Sequence, residues 1–290
     1  MWDNIDDDEN NGDNKVGDVD NNGIYEIIAT DMKPYKENPI WIPPLKGTGS
    51  MQSNDGIQFL SNTLYFKVDD KKYHYLDLGK ERGIDATGWS WSVQFGDLDN
   101  DGFLDLYIVN GMHNEDLFGH LPGNELIENN KVFKNNGTGH FISKDEWNLD
   151  STESGRGMSI ADLDNDGNNE IIFGSNDGKL YILDAYGNQE LAYVQSGVIN
   201  GSPAIVDLDL DGDYEIIFTT YGGINSNGEV YAIHHDGNDV DGFPIGTDEK
   251  MMVGAAVGDL EGDGYPEIVI CTWDDNIYAI DNFFYIKRTS

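Results

Sequence analysis

The chain has 290 residues, enough for one large domain or two ordinary ones. Its 54 acidic side chains against 17 Lys and Arg give a formal net charge of −37. That balance excludes nucleic acid and anionic membrane surfaces as partners, because both are bound by neutralising phosphates with basic side chains.

Hydrophobic residues make up 38% of the chain, enough for a core. They alternate with the acids in a regular pattern, which argues against global disorder. The one cysteine, Cys271 in "EIVICTW", leaves no intramolecular disulfide and reads as a small buried residue on a strand. No stretch is long and apolar enough to span a membrane. The start, "MWDNIDDDEN", is acidic where a signal peptide is basic and then apolar. The sequence therefore implies either another route than that signal or a piece of a longer chain.

In chain order, residues 1–15 are expected to form an acidic tail. Within it "DDENNGDNK" has the outline of a metal loop, but Lys15 at its ninth position opposes a cation. Then comes the first of five aligned windows, "DVDNNGIYE" from Asp18. The others are "DLDNDGFLD" from Asp97, "DLDNDGNNE" from Asp162, "DLDLDGDYE" from Asp207 and "DLEGDGYPE" from Asp259. The template has acids at positions 1 and 3, Asp or Asn at 5, Gly at 6 and an acid at 9. One such window is compatible with chance; five in register are not.

Like charges at this density repel unless a cation lies between them. Ca²⁺ takes six to eight oxygen ligands, and a tight loop with carboxylates two apart supplies them. The expected ligands are Asp18, Asp20, Asn22 and Glu26; Asp97, Asp99, Asp101 and Asp105; Asp162, Asp164, Asp166 and Glu170; Asp207, Asp209, Asp211 and Glu215; and Asp259, Glu261, Asp263 and Glu267. Position 7 varies chemically, being Ile24, Phe103, Asn168, Asp213 and Tyr265, as expected if it contributes only its backbone carbonyl. Gly at 6 provides either the room or the φ of a sharp turn. About five Ca²⁺, one per loop, are expected as structural ions. The first loop, with a neutral Asn22, and the fifth, with the longer Glu261, should be the weakest.

An EF-hand would need Glu at position 12 and flanking helices. Position 12 is Ala29, Ile108, Phe173, Phe218 and Ile270, and the flanks are short runs of strand formers such as "LYIV" and "IIFT". Each loop therefore joins two strands. The apolar residue at position 2 (Val19, Leu98, Leu163, Leu208, Leu260) is expected to point into the core. Second hairpins follow, as in "GKLYILDAYGNQELAYV" and "GEVYAIHHDGNDVDGFP". Two hairpins per unit, at a period of roughly 50 residues in the later units, predict four-stranded propeller blades.

The fold class is thus expected to be all-β, a β-propeller of about five recognisable blades over residues 16–290. Segments 31–62 and 112–130 do not fit the blade pattern and read as insertions, the best candidates for partner contact.

These repeats resemble the FG-GAP/VCBS family, known from the propeller of integrin alpha subunits. The resemblance covers about residues 16–282. Residues 88–173, from "GWSWSVQFGDLDNDG" to "SGRGMSIADLDNDG", are similar to the ASPIC/UnbV-type branch of secreted acidic proteins. The resemblance implies an extracellular or cell-surface binding and adhesion role, with protein or glycan ligands.

No catalytic constellation is found. The histidines lack zinc spacing, and GxSxG and P-loop signatures are absent. Trp89 and Trp91 in "GWSWS" read as packing before sugar stacking. Two alternatives remain: a polysaccharide lyase or hydrolase on the same blades, and a self-associating subunit of a surface layer or filament.

Overall fold

The computed structural model describes residues 14–33, 61–68, 74–111, 127–195, 197–222, 227–273, 276–281 and 286–289. Most of the expected tail, and residues 34–60 and 112–126 of the two expected insertions, lie outside the described residues.

The described chain is built of antiparallel sheets, each a meander. The first joins β1 (Asn14–Gly17), β2 (Glu26–Ala29), β4 (Thr63–Lys67) and β5 (Tyr75–Asp77). The second joins β6 (Gly88–Gly96), β7 (Asp105–Asn110), β8 (Lys131–Asn135) and β9 (Phe141–Ser143), and gains a fifth strand, β3 (Met32–Lys33). A short 3-10 helix, Asp145–Trp147, follows β9.

The third sheet joins β10 (Gly155–Ala161), β11 (Glu170–Ser175), β12 (Lys179–Leu183) and β13 (Gln189–Val194). The fourth joins β14 (Ala204–Val206), β15 (Glu215–Thr219), β16 (Glu229–His234) and β17 (Ile245–Gly246). The fifth joins β18 (Ala256–Gly258), β19 (Glu267–Cys271), β20 (Ile277–Ile280) and β21 (Ile286–Thr289). In every sheet the acidic loop closes the first hairpin, as the sequence predicts.

Two boundaries differ from expectation. β1 starts at Asn14, within the stretch read as a tail. The segment expected to leave the fold at residue 31 first makes β3, where Met32 pairs with Trp89. The ends of both insertions are fixed by buried asparagines. The Asp31 amide donates to Asn62 Oδ1 at 2.8 Å, and the Asn110 amide donates to Asn130 Oδ1 at 2.8 Å.

The chain divides into two compact units. One is residues 1–95, 101–145 and 150–154; the other is 96–100, 146–149 and 155–290. Their cores share one construction. In the first unit, Val19 and Ile28, at positions 2 and 11 of the first loop, cluster with Leu106 and Ile108, at positions 10 and 12 of the second. In the second unit, Leu163 and Ile172 meet Ile216 and Phe218, and Leu208 and Ile217 meet Ile268 and Ile270. The period-2 alternation of a strand places 11 on one face and 10 and 12 on the other. In these three seams a leading face, carrying positions 2 and 11, packs on the trailing face of the following sheet of the same unit.

Glycines set how near successive first strands come. A Cβ on Gly157 would collide with Ser202 N, and one on Gly201 with Gly254 N. "SGRG", "NGSP" and "VGAA" are thus close-approach signals.

Two expectations about single residues fail. Leu260 does not join Val19, Leu98, Leu163 and Leu208 in the core; it is exposed. Cys271 lies on β19 as expected but is exposed, not buried. The same cause accounts for both: they lie on the leading face of the fifth sheet, which no described element covers.

Candidate metal centres

Each loop is organised first by its backbone. Position 4 lies in the left-handed region in all five: Asn21 (φ 55), Asn100 (φ 57), Asn165 (φ 58), Leu210 (φ 61) and Gly262 (φ 74). Asn and Gly tolerate this conformation and Leu does not. Position 6 is also left-handed, from Gly23 (φ 83) to Gly212 (φ 103). Nothing lies within 4 Å of a Cβ added at any of these five position-6 glycines. The glycine is therefore required by φ and not by space.

Carboxylates then lock the turn. Position 1 accepts from the position 6 amide: Asp18 Oδ2 from Gly23 (2.8 Å), Asp162 from Gly167 (3.0 Å), Asp207 from Gly212 (3.2 Å) and Asp259 from Gly264 (3.0 Å). Position 5 accepts from the amide of position 7, as Asp166 does from Asn168 at 2.8 Å. Position 9 reaches back across the loop. Glu26, Glu170, Glu215 and Glu267 each accept through Oε2 from the amide of position 2, at 3.1, 2.8, 2.7 and 2.6 Å.

The position 9 side chains are buried. Desolvation, opposed by the amide of position 2 and reinforced by neighbouring aspartates, pushes Glu26 and Glu170 up to about 7. Glu215 is raised by the same burial, with Leu208 N and His234 pulling the other way.

Four loops gather carboxylates closely enough to share one cation, with one ligand atom from each residue within 4.8 Å of the others. The sets are Asp18, Asp20 and Glu26; Asp97, Asp99 and Asp101; Asp162, Asp164 and Glu170; and Asp207, Asp209 and Asp211. In the second loop Asp105 stands outside the set and accepts from the Asn135 amide at 2.9 Å. In the fifth, Asp259, Glu261, Asp263 and Glu267 form no such set among the described residues. There Asp259 Oδ1 is turned onto the amides of Gly262 (2.6 Å) and Asp263 (3.1 Å).

Three carboxylate oxygens bear directly on a cation. Asp20 Oδ1, Asp162 Oδ1 and Asp207 Oδ1 are buried without a hydrogen-bond partner. Buried polar atoms are normally paired, and these belong to the first, third and fourth clusters. An all-oxygen donor set with partnerless buried carboxylate oxygens fits a hard divalent cation.

Two further residues act at the loops without having been singled out from the sequence. His234 Nδ1 lies 3.0 Å from Glu215 Oε1 and forms a second close set with Asp209 and Glu215. The hairpin register pairs His234 with Glu215, a fact legible only once β15 and β16 are aligned. Lys134 Nζ contacts Asp101 Oδ2 at 2.6 Å, placing a resident positive charge at the second loop.

The position 4 asparagines link loops in series. Asn21 Nδ2 donates to the Gly102 carbonyl (3.0 Å), Asn100 to Gly167 (3.1 Å) and Asn165 to Gly212 (3.4 Å). The recurring Asn was the available signal. At Leu210 the fourth loop has no amide with which to continue the series.

Trp89 is buried and stacks on Trp91, centroids 6.4 Å apart, while Trp91 Nε1 donates to the Gly111 carbonyl at 2.8 Å. This is packing, as expected. Among the described residues no helix is long and apolar enough to cross a membrane.

An FG-GAP-like repeat model matches residues 114–173, which supports the resemblance read in the loops. No curated protein matches the sequence. Among solved structures, BBS1N in complex with ARL6DN, soaked with lead, aligns over 94% of this chain and 66% of its own, at 10% identity and a TM-score of 0.55. Rhamnogalacturonan lyase YesW aligns over 96% of this chain and 50% of its own, at 19% identity and a TM-score of 0.50. This chain thus spans about two thirds and one half of the lengths of these two proteins. At such identities the likeness is one of fold alone. Both neighbours are β-propeller proteins, and the five antiparallel meanders, with one short 3-10 helix among the described residues, place this chain in the same all-β, propeller-type class.

Proposed function

We propose that the chain is a calcium-binding β-propeller module, extracellular or at the cell surface, that recognises protein or glycan partners, with calcium as a structural ion. The observation that carries the calcium reading is the set of buried, partnerless oxygens on Asp20, Asp162 and Asp207, each inside a carboxylate cluster on a loop whose φ angles are already those of a tight turn.

Ca²⁺ is preferred over Mg²⁺ because the loops supply many oxygens and little octahedral rigidity. The first to fourth loops hold it, through the ligands named above. The fifth must first release Asp259 from its own backbone. Affinities on the order of 10⁻⁴–10⁻³ M, typical of extracellular modules, suffice where calcium is millimolar. Calcium here is a stiffener, and binding lies elsewhere on the blades. The FG-GAP-like match and the propeller neighbours, one of them crystallised with a protein partner, support a binding role. Residues 88–173 are read, from the resemblance of their motifs, as a stretch of the ASPIC/UnbV type.

The test is a thermal melt in EDTA, followed by calcium titration with magnesium as control. A calcium-specific rise in Tm is expected; saturating one site a hundredfold above its Kd contributes about 2.7 kcal/mol. An unchanged Tm, or an equal gain from magnesium, rejects the calcium reading.

A further inference from the structure

Residues 98–100 of the second acidic loop, residues 146–148 and the turn between β12 and β13 enclose a cavity of about 300 Å³. That volume is at the lower end of small-ligand sites. All its lining residues belong to the second compact unit. The acidic loops account for Asp99 and Asn168 in its wall. They leave two aromatic side chains there, Trp147 and Tyr186, without a role.

The wall is fixed by its own backbone. Asp184 Oδ1 accepts from the amides of Tyr186 (2.9 Å) and Asn188 (2.7 Å), and Asp184 Oδ2 accepts from Asn188 Nδ2 at 2.7 Å. Gly187 runs so close to the neighbouring segment that a Cβ there would lie 2.4 Å from the Asn148 carbonyl oxygen and 2.7 Å from that of Trp147. Tyr186 therefore stands on a pinned turn, 69% exposed, beside a half-buried Trp147. The amides are set as well. Asn100 Nδ2 donates to Asn168 Oδ1 at 3.0 Å, and Asn168 Nδ2 donates to Asp166 Oδ1 at 2.9 Å. A site ordered before binding loses little further freedom when it binds.

The lining chemistry selects the ligand. Among the described residues no Lys, Arg or His lines the cavity, while Asp99 and Glu146 do, so an anion is repelled. Three asparagines, Asn100, Asn148 and Asn168, bring amides that combine donor and acceptor groups. A hydroxyl uses both; an ammonium group, a donor only, does not. The two aromatic rings bring broad apolar surface with a polar edge. A pyranose ring, with C–H faces and hydroxyl edges, matches that combination.

We propose that this cavity binds one neutral hexopyranose unit of a glycan, with Trp147 and Tyr186 against its C–H faces and the asparagine amides at its hydroxyls. The assignment rests on the reading of the chain as a binding module and names the site of its glycan partner. It does not rest on calcium.

The experiment is calorimetric titration of the full 290-residue chain, in calcium, with cellohexaose, mannohexaose and galactohexaose as neutral probes. Hexagalacturonate serves as the anionic probe and hexalysine as the cationic one. Tryptophan fluorescence is followed in parallel. The variants are Tyr186→Ala, at an exposed position where the fold should persist, and Trp147→Phe, which keeps a ring but removes the indole.

At least one neutral hexasaccharide is expected to bind. Tyr186→Ala should raise its Kd about tenfold or more. Trp147→Phe should keep binding and lose the fluorescence change. A neutral sugar that binds Tyr186→Ala as tightly as wild type overturns this site and leaves the binding-module reading standing. Heat from none of the three neutral probes overturns both the site and the glycan half of that reading. Hexalysine or hexagalacturonate bound in its place, and lost in Tyr186→Ala, overturns the neutral-sugar assignment. Should Tyr186→Ala fail to fold, a fluorescence change that survives in Trp147→Phe overturns the site by itself, and its loss supports it.

Discussion

The fourth and fifth sheets share a template and differ in surroundings. In the fourth, the position 2 leucine, the strand core and the loop form one unit. Leu208 is buried, its amide is held by Glu215, and the loop gathers Asp207, Asp209 and Asp211. In the fifth, Glu267 holds the Leu260 amide just as closely, yet Leu260 is exposed and the loop makes no carboxylate cluster among the described residues. The backbone link between positions 2 and 9 is therefore local and survives the loss of a neighbour. Burial of position 2 is not local, since it needs the next sheet.

The largest difference should appear in the strands. Ile217→Ala, in the buried seam, is expected to cost about 2–5 kcal/mol, while Val269→Ala, its half-buried counterpart, should cost less than about 1 kcal/mol. Denaturant titration of both variants checks this. Equal losses would mean that the fifth face is covered in the isolated chain.

Next come the ninth-position acids. Glu215→Gln keeps an acceptor for the Leu208 amide but removes the buried charge. It is expected to raise Tm in EDTA at pH 8 and to reduce the gain from calcium. Glu267→Gln, in the loop without a cluster, should leave the calcium gain nearly unchanged. Melts in EDTA and in calcium separate the two, and a matching response at both positions would remove the distinction between the loops.

A pH dependence follows from the same burial. Glu26 and Glu170 titrate at about 7 in the fold against an ordinary 4.5. Between these values the folded chain holds protons that the unfolded chain has released, so stability falls as pH rises through that window. In EDTA, Tm should decline from pH 5 to pH 7.5. With calcium bound to the ionised carboxylates, the decline should flatten. A Tm in EDTA that rises over this range would contradict the burial of these groups.

The smallest expected effect is a gain. Leu210 is held at φ 61 and is exposed, so it loses little packing on replacement. Leu210→Asn should relieve left-handed strain of about 1 kcal/mol. It also brings the amide that Asn21, Asn100 and Asn165 use to reach the glycine carbonyl of the following loop. A small rise in Tm, equal with and without calcium, is expected. A loss would mean that Leu210 packs on something.

Much of the fold was legible because its signals are local. The acids at positions 1, 3 and 9, Gly at 6 and the strand formers on either side specify a loop between two strands whatever surrounds it. The position 4 residue was equally legible and was passed over. Its succession of Asn, Asn, Asn, Leu and Gly marks a left-handed φ, and the ligand template hid it. His234 was not legible, because only the register of β15 with β16 sets it opposite Glu215. Lys134 likewise needs β8 beside β7 to meet Asp101.

The amino-acid sequence by itself determined the hairpins, the acidic loops and the alternation that gives each sheet two apolar faces, because these depend on φ, on side-chain period and on charge within about ten residues. Only the tertiary structure decided which faces are covered. Leu208 and Leu260 occupy the same template position beside the same kind of loop, and one is core and the other surface. Burial is a property of what lies opposite, and no residue carries its neighbour in its own chemistry.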